Sequence, residues 1–274
     1  MIVDAHHHLW DPALADYPWM TDEVASIRRR FGPEDLEPLL GEYSVDGTIV
    51  VQARGSIDET RWLLEIADAT PFVRGVVGWI DLTAPDVARV LAEFTGGQLV
   101  GIRHQVHDEP DPAWLLREDV QQGIAAVGDA GLAFDLLVRS AELPAATETV
   151  RRHPDVRFVV DHLAKPPVRE GDTEDWARGV AALADLPNVT CKLSGLVTEA
   201  DWTAWRSAGL SDYHRRALDW FGAERCMFGS DWPVCLLAAE YGDVLELLLQ
   251  ALSGVSERER ADILGGTAAR TYGL

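Results

Sequence analysis

Residues 6–8 are three consecutive histidines, His6, His7 and His8, set between an apolar start and Trp10. On a strand, residues i and i+2 face the same side. His6 and His8 therefore converge, and His7 points away, towards packing or a backbone partner. Two imidazoles on one face can share a metal ion or act as catalytic donors. They can equally be structural histidines bonded to carbonyls. A third imidazole, His162, ends the run RFVVDH (157–162), and a carboxylate, Asp231, ends RCMFGSD (225–231). Histidines and an aspartate around an open position make a zinc-type hydrolytic site. Asp231 is there a metal ligand or the base that takes a proton from water; in the structural alternative it caps the next turn.

For these residues to meet, elements distant in sequence must end at one place. Short β-rich runs alternate with amphipathic ones. The strand candidates are 2–6, 48–53, 72–80, 98–104, 132–138, 157–162, 188–194 and 225–231. Near-continuous apolar runs of this kind suit strands covered on both faces. Helical periodicity falls at 59–69, 84–94, 114–131 and 256–266, the third stopping at Gly131 and the last running from an N-cap at Ser256 to Gly265-Gly266. About eight strands, each followed by a helix, is the inventory of a (β/α)8 TIM barrel. An open doubly wound sheet would carry a Gly-rich phosphate loop after its first strand; here that strand runs into histidines. With no linker or repeat, residues 1–274 read as one domain. The long connection 9–46 is placed to cap the barrel mouth with Trp10 and Trp19.

Functional groups of such barrels gather at the C-terminal strand ends. Those ends here carry Gln52, Arg103, His104, Lys165, Lys192 and Ser194 besides the histidines and Asp231. Gln52, Arg103, His104, His107 and Lys165 are candidates to bind substrate hydroxyls or a carboxylate; Arg103 could equally make a salt bridge in the barrel interior. Trp19 and Trp232, with Trp10 and Trp79, are candidate flat walls for a ring. His153 precedes a strand, at the opposite face, and His214 lies in a helical stretch; both read as structural.

The net charge of −21 argues against nucleic acid and anionic membranes as partners. Three cysteines without C-x-x-C spacing give no disulfide framework. No basic-then-apolar leader opens the sequence, and no apolar run approaches the ~20 residues of a membrane span. A cytoplasmic protein, monomer or homodimer, is expected.

Seven motifs in order, DAHHHLWD, VGWIDL, VGIRHQVHDEPDPAWL, VVDHLAKP, KLSGL, MFGSDWPV and LGGTAARTYGL, resemble the amidohydrolase-related lactonases of the amidohydrolase superfamily. The resemblance covers nearly the whole chain. It implies a distorted barrel and hydrolysis of a lactone ring. By motif it assigns His6 and His8 to the first-strand H-x-H, His162 to D-H-x-x-K-P and Asp231 to G-S-D-W-P. Those four would hold a metal, with Asp231 and His162 catalytic. The fourth and seventh strands lack the further ligands of a binuclear site, so one divalent ion (zinc by ligand type) or metal-independent action remain the alternatives. Thr267 replaces an asparagine common in the group and is expected to cap a terminal helix. Because several arginines would be needed to bind a dicarboxylate, the expected substrate is a neutral sugar-acid lactone such as L-fuconolactone or L-rhamnonolactone. Alternatives are a metal-dependent decarboxylase or hydratase, a pyrone or muconolactone hydrolase, and a non-catalytic sugar-acid-binding barrel.

Overall fold

The computed structural model describes residues 1–94 and 96–274. Eight parallel strands follow one another around the sheet in chain order. They are β1 Val3–His7, β2 Gly47–Val51, β3 Val73–Gly78, β4 Leu99–His104, β5 Ala133–Leu136, β6 Arg157–Val160, β7 Val189–Leu193 and β8 Cys226–Phe228. Each lies within or beside a run read as a strand. Parallel neighbours require crossovers, supplied by helices Pro33–Tyr43, Ile57–Ala69, Val87–Ala92, Glu118–Asp129, Leu143–Arg152, Glu174–Ala184 and Leu210–Phe221; Tyr241–Ala251 follows β8. The circle closes where His7 bridges Trp232, the His8 N–H donates to the Trp232 carbonyl (2.7 Å) and the Asp231 N–H donates to the His6 carbonyl (2.8 Å). A register slip between Asp4 and His7 distorts the first pairing. The architecture is a distorted (β/α)8 barrel.

Apolar side chains pack between strands and helices, and a smaller cluster fills the barrel interior. The interior cluster includes Ala5, Ile49, Val51, Val77, Ala133, Val159 and Met227, with Ala268 and Tyr272 from the C-terminal helix Thr267–Tyr272. That helix therefore reaches into the barrel interior, and its path departs from expectation in two ways. Ser256 caps as expected, accepting from the Glu259 N–H at 3.3 Å. The chain does not stop at the paired glycines, however, but runs through a π turn, Asp262–Gly266, into the final helix. A Cβ at Gly265 would lie 2.7 Å from the Met1 carbonyl oxygen, so this glycine serves close approach to the start of the chain. Thr267 is no cap either: it sits inside the helix and its hydroxyl donates to the Glu224 carbonyl (3.1 Å). The expected helix over 114–131 divides into a turn, Trp114–Leu116, and the helix from Glu118, while Gly131 (φ 73°) ends it as read. Among the described residues no helix is long and apolar enough to cross a membrane.

Candidate active site

The end of β1 separates its histidines as strand parity requires. His6 and His8 bring their Nε2 atoms to 3.1 Å of each other, while His7 turns away and bonds the Thr48 hydroxyl at 2.9 Å. His8 Nδ1 donates to the Val51 carbonyl (2.7 Å). A carbonyl only accepts, so neutral His8 presents the Nε2 lone pair to the site. From β8, Asp231 Oδ1 comes to 3.4 Å from His8 Nε2 and 3.7 Å from His6 Nε2. This approach needs Gly229, where a Cβ would stand 2.7 Å from the His6 Cβ.

His162 arrives on an unusual turn. Residues 162–165 all have φ between 47° and 56°, a conformation that costs non-glycine residues roughly 1–2 kcal/mol each. Such strain persists only where its surroundings enforce it. Here Trp176 Nε1 donates to the Leu163 carbonyl (2.6 Å) and the Lys165 N–H to the His162 carbonyl (2.8 Å). The His162 ring contacts the Ser194 hydroxyl through Nδ1 at 2.9 Å, and its Nε2 lies 3.9 Å from Asp231 Oδ1. It rests on Gly195, where any side chain would collide with the imidazole.

Beneath the histidines lies a buried ionic layer. Lys192 Nζ sits 2.5 Å from Asp135 Oδ2, 3.0 Å from Asp161 Oδ1 and 3.2 Å from His6 Nδ1. Tyr272 donates to the same Asp135 oxygen (2.7 Å). Arg103 donates to Asp161 Oδ2 (2.9 Å) and to the Gln52 carbonyl, and its Nη1 lies 3.2 Å from His6 Nε2. Every residue of this layer is buried.

Above it opens a cavity of about 310 Å³, within the range of small-molecule sites. Of the residues expected to bind substrate, Trp19, Arg103, His107 and Lys165 line it, as do His8, His162 and Asp231. Gln52, His104 and Trp232 are not among its lining residues. Gln52 is fully buried, donating to the Arg103 carbonyl (3.2 Å) and accepting from Gln105 (2.9 Å). His104 stacks on Trp114 (4.2 Å between centroids) and is held by Trp79 and Glu109. Trp232 packs edge-on against Phe31. Sequence reading missed Gln105, Asp108 and Arg139, which line the cavity. They lie on loops just past β4 and β5, and that position was the available signal.

The amidohydrolase family profile matches residues 3–274. The chain belongs to that family. The L-fucono-1,5-lactonase of Burkholderia multivorans is 42% identical over 283 aligned residues, covering 99% of this chain and 96% of that protein. The L-fucono-1,5-lactonase of Burkholderia ambifaria is 40% identical over 277, covering 98% and 94%. A crystal structure of a Burkholderia multivorans amidohydrolase with bound zinc is similar at a TM-score of 0.96 and 42% identity, over 100% of this chain and 99% of that one.

In this amidohydrolase the site's protonation states are set by burial and neighbours. Burial alone would raise the Asp231 carboxyl, but His162, His8 and Lys165 outweigh it and hold the group below its ordinary range. Burial pushes His162 down to about 3 and His6 well below its usual value. At neutral pH the site therefore pairs an ionised acid with uncharged imidazoles. His6 Nε2, His8 Nε2 and Asp231 Oδ1 lie 3.1, 3.4 and 3.7 Å apart. Ligands of a tetrahedral ion at about 2.0–2.1 Å stand roughly 3.3 Å apart, so these three fit one divalent ion. His162 groups instead with His6 and Asp161, and Asp161 is already bound by Arg103 and Lys192. The expected four-residue ligand set thus divides, with His162 beside a three-residue centre.

Proposed function

We propose that the protein hydrolyses the ring ester of a sugar-acid lactone, an aldono-1,4- or 1,5-lactone, with L-fucono-1,5-lactone the first candidate because of the relatives' activity. The observation that carries this is Asp231: an ionised, buried carboxylate that faces imidazoles and lines the cavity, with no lysine or arginine within 4.0 Å among the described residues. Such a group can accept a proton from water, as a general base must. A zinc ion held by His6, His8 and Asp231 would supply Lewis-acid polarisation of the carbonyl. The chain's own groups do the rest. Water enters against the lactone carbonyl carbon as Asp231 takes its proton. His162, when the Ser194 hydroxyl donates to Nδ1, carries its proton on Nε2 and stabilises the developing oxyanion. The ring C–O bond then breaks, and the leaving alkoxide takes the proton from Asp231 to give a hydroxy acid.

The cavity also supports a neutral substrate. Two arginines line it, but Arg103 is committed to Asp161, so Arg139 is left without the free arginine partner expected of a decarboxylase or dicarboxylate hydrolase. Three buried free thiols suit a reducing cytoplasm. The test is a panel of aldonolactones assayed with a pH indicator for acid release. Turnover is expected for at least one hexono- or 6-deoxyhexonolactone. Turnover of a pyrone dicarboxylate with none of the panel would overturn the assignment.

A further inference from the structure

The cavity is lined by three cationic side chains, and two are already committed: Arg103 to Asp161 and Lys165 to Glu199. The third is Arg139, three residues past the end of β5. Its backbone N–H is fixed by Glu142 (2.8 Å), which roots the residue at the cavity edge. Its guanidinium has no carboxylate within 4.0 Å among the described residues. Asp108, from the loop after β4, lines the same cavity and is 68% exposed. His107 lines it too; its Nδ1 donates to the Leu137 carbonyl (3.4 Å), leaving Nε2 3.4 Å from Asp108. The charges of both Arg139 and Asp108 act on this ring.

A strong donor and strong acceptors without a mutual partner therefore line the same cavity. A second carboxylate on the ligand would meet Asp108. Vicinal hydroxyls, each able to donate and accept, satisfy both signs. We infer that Arg139 and Asp108 form the subsite for the ring hydroxyls and set a preference for polyhydroxylated over unsubstituted lactones. This rests on the lactonase reading and adds to it a specificity-determining pair that touches no reacting atom.

The experiment compares kcat/KM for a hydroxylated aldonolactone and for unsubstituted δ-valerolactone in wild type, Arg139→Gln and Asp108→Asn. Losing a hydrogen bond to a charged group is worth about tenfold or more, so the selectivity ratio is expected to fall at least about tenfold in Arg139→Gln, chiefly through KM of the hydroxylated substrate. An unchanged ratio in both variants overturns the subsite. If wild type opens no lactone at all, the proposed function fails separately. Calorimetric titration with L-fuconic acid then decides the subsite: weaker binding to Arg139→Gln supports it, and equal binding to both proteins overturns it.

Discussion

His214 gives the sharpest quantitative prediction, because the structure buries it without a partner. It lies in the helix Leu210–Phe221, 2% exposed, and neither ring nitrogen has a hydrogen bond to any of the described residues. Burial pushes its pKa from 6.5 down to about 3. Between those two values the unfolded chain carries a proton that the folded chain refuses. Stability must therefore fall as pH falls through this window, by about 1.4 kcal/mol per unit once well below the upper value. From pH 7 to pH 5 the single-residue contribution comes to about 2 kcal/mol. In His214→Leu that contribution is gone. At pH 7 the variant should be at least as stable as wild type, because an unsatisfied buried polar group costs about 1–3 kcal/mol. Urea unfolding at the two pH values measures the effect. The gap between variant and wild type should widen by about 2 kcal/mol at pH 5 in the variant's favour. The other buried histidines titrate in both proteins and cancel in the comparison. A gap that stays constant with pH would refute the reasoning, since it would mean the folded protein protonates His214 as readily as the unfolded chain.

Three further outcomes follow from the site. Asp231→Asn should lower kcat on any lactone that is turned over by about 10²–10⁴-fold, the usual worth of a general base, and a loss below tenfold would remove Asp231 from that role. Lys192→Met leaves the buried Asp135 without a cation and should cost about 3–5 kcal/mol by urea unfolding; a cost under 1 kcal/mol would show that the layer carries little stability. His8→Ala removes one of three converging donors, so zinc retained after dialysis of untagged protein, read by elemental analysis, should fall well below wild type, and equal zinc in both would displace His8 from the ligand set.

The strands were legible because each is an apolar run buried on both faces, and strand parity alone separated His7 from His6 and His8. The ionic layer was also partly legible. Asp135 and Asp161 each sit two residues past an interior apolar residue, Ala133 and Val159, so both had to point into the barrel. What the linear pattern does not carry is which cation each acid takes. Arg103 was expected to meet substrate or to make a barrel-interior salt bridge; β4 and β6 bring it and Asp161 together in the interior, and the salt bridge forms there. Nothing in the sequence singles out Arg139, because its being the uncommitted cation at the cavity depends on which partners Arg103 and Lys165 take. The paired glycines near the C-terminus were misread for a similar reason. A glycine that ends a helix and one that lets a helix touch a distant strand are the same letter, and only the approach of Met1 distinguishes them.

The pairing also explains why Asp231, and not Asp161, is suited to move a proton. Both carboxylates are buried within reach of His6. Arg103 and Lys192 together cancel the formal charges of Asp135 and Asp161, which lets the layer sit inside the barrel without net charge. Asp161 is consequently locked: burial would raise its pKa, but Lys192, His6 and Arg103 hold it well below the usual carboxylate range. A carboxylate paired with both a lysine and an arginine has little affinity for a further proton. Asp231 has no lysine or arginine within 4.0 Å among the described residues, and it lines the cavity while Asp161 does not. The buried layer thus removes one candidate base from the chemistry and leaves the other open to water and substrate.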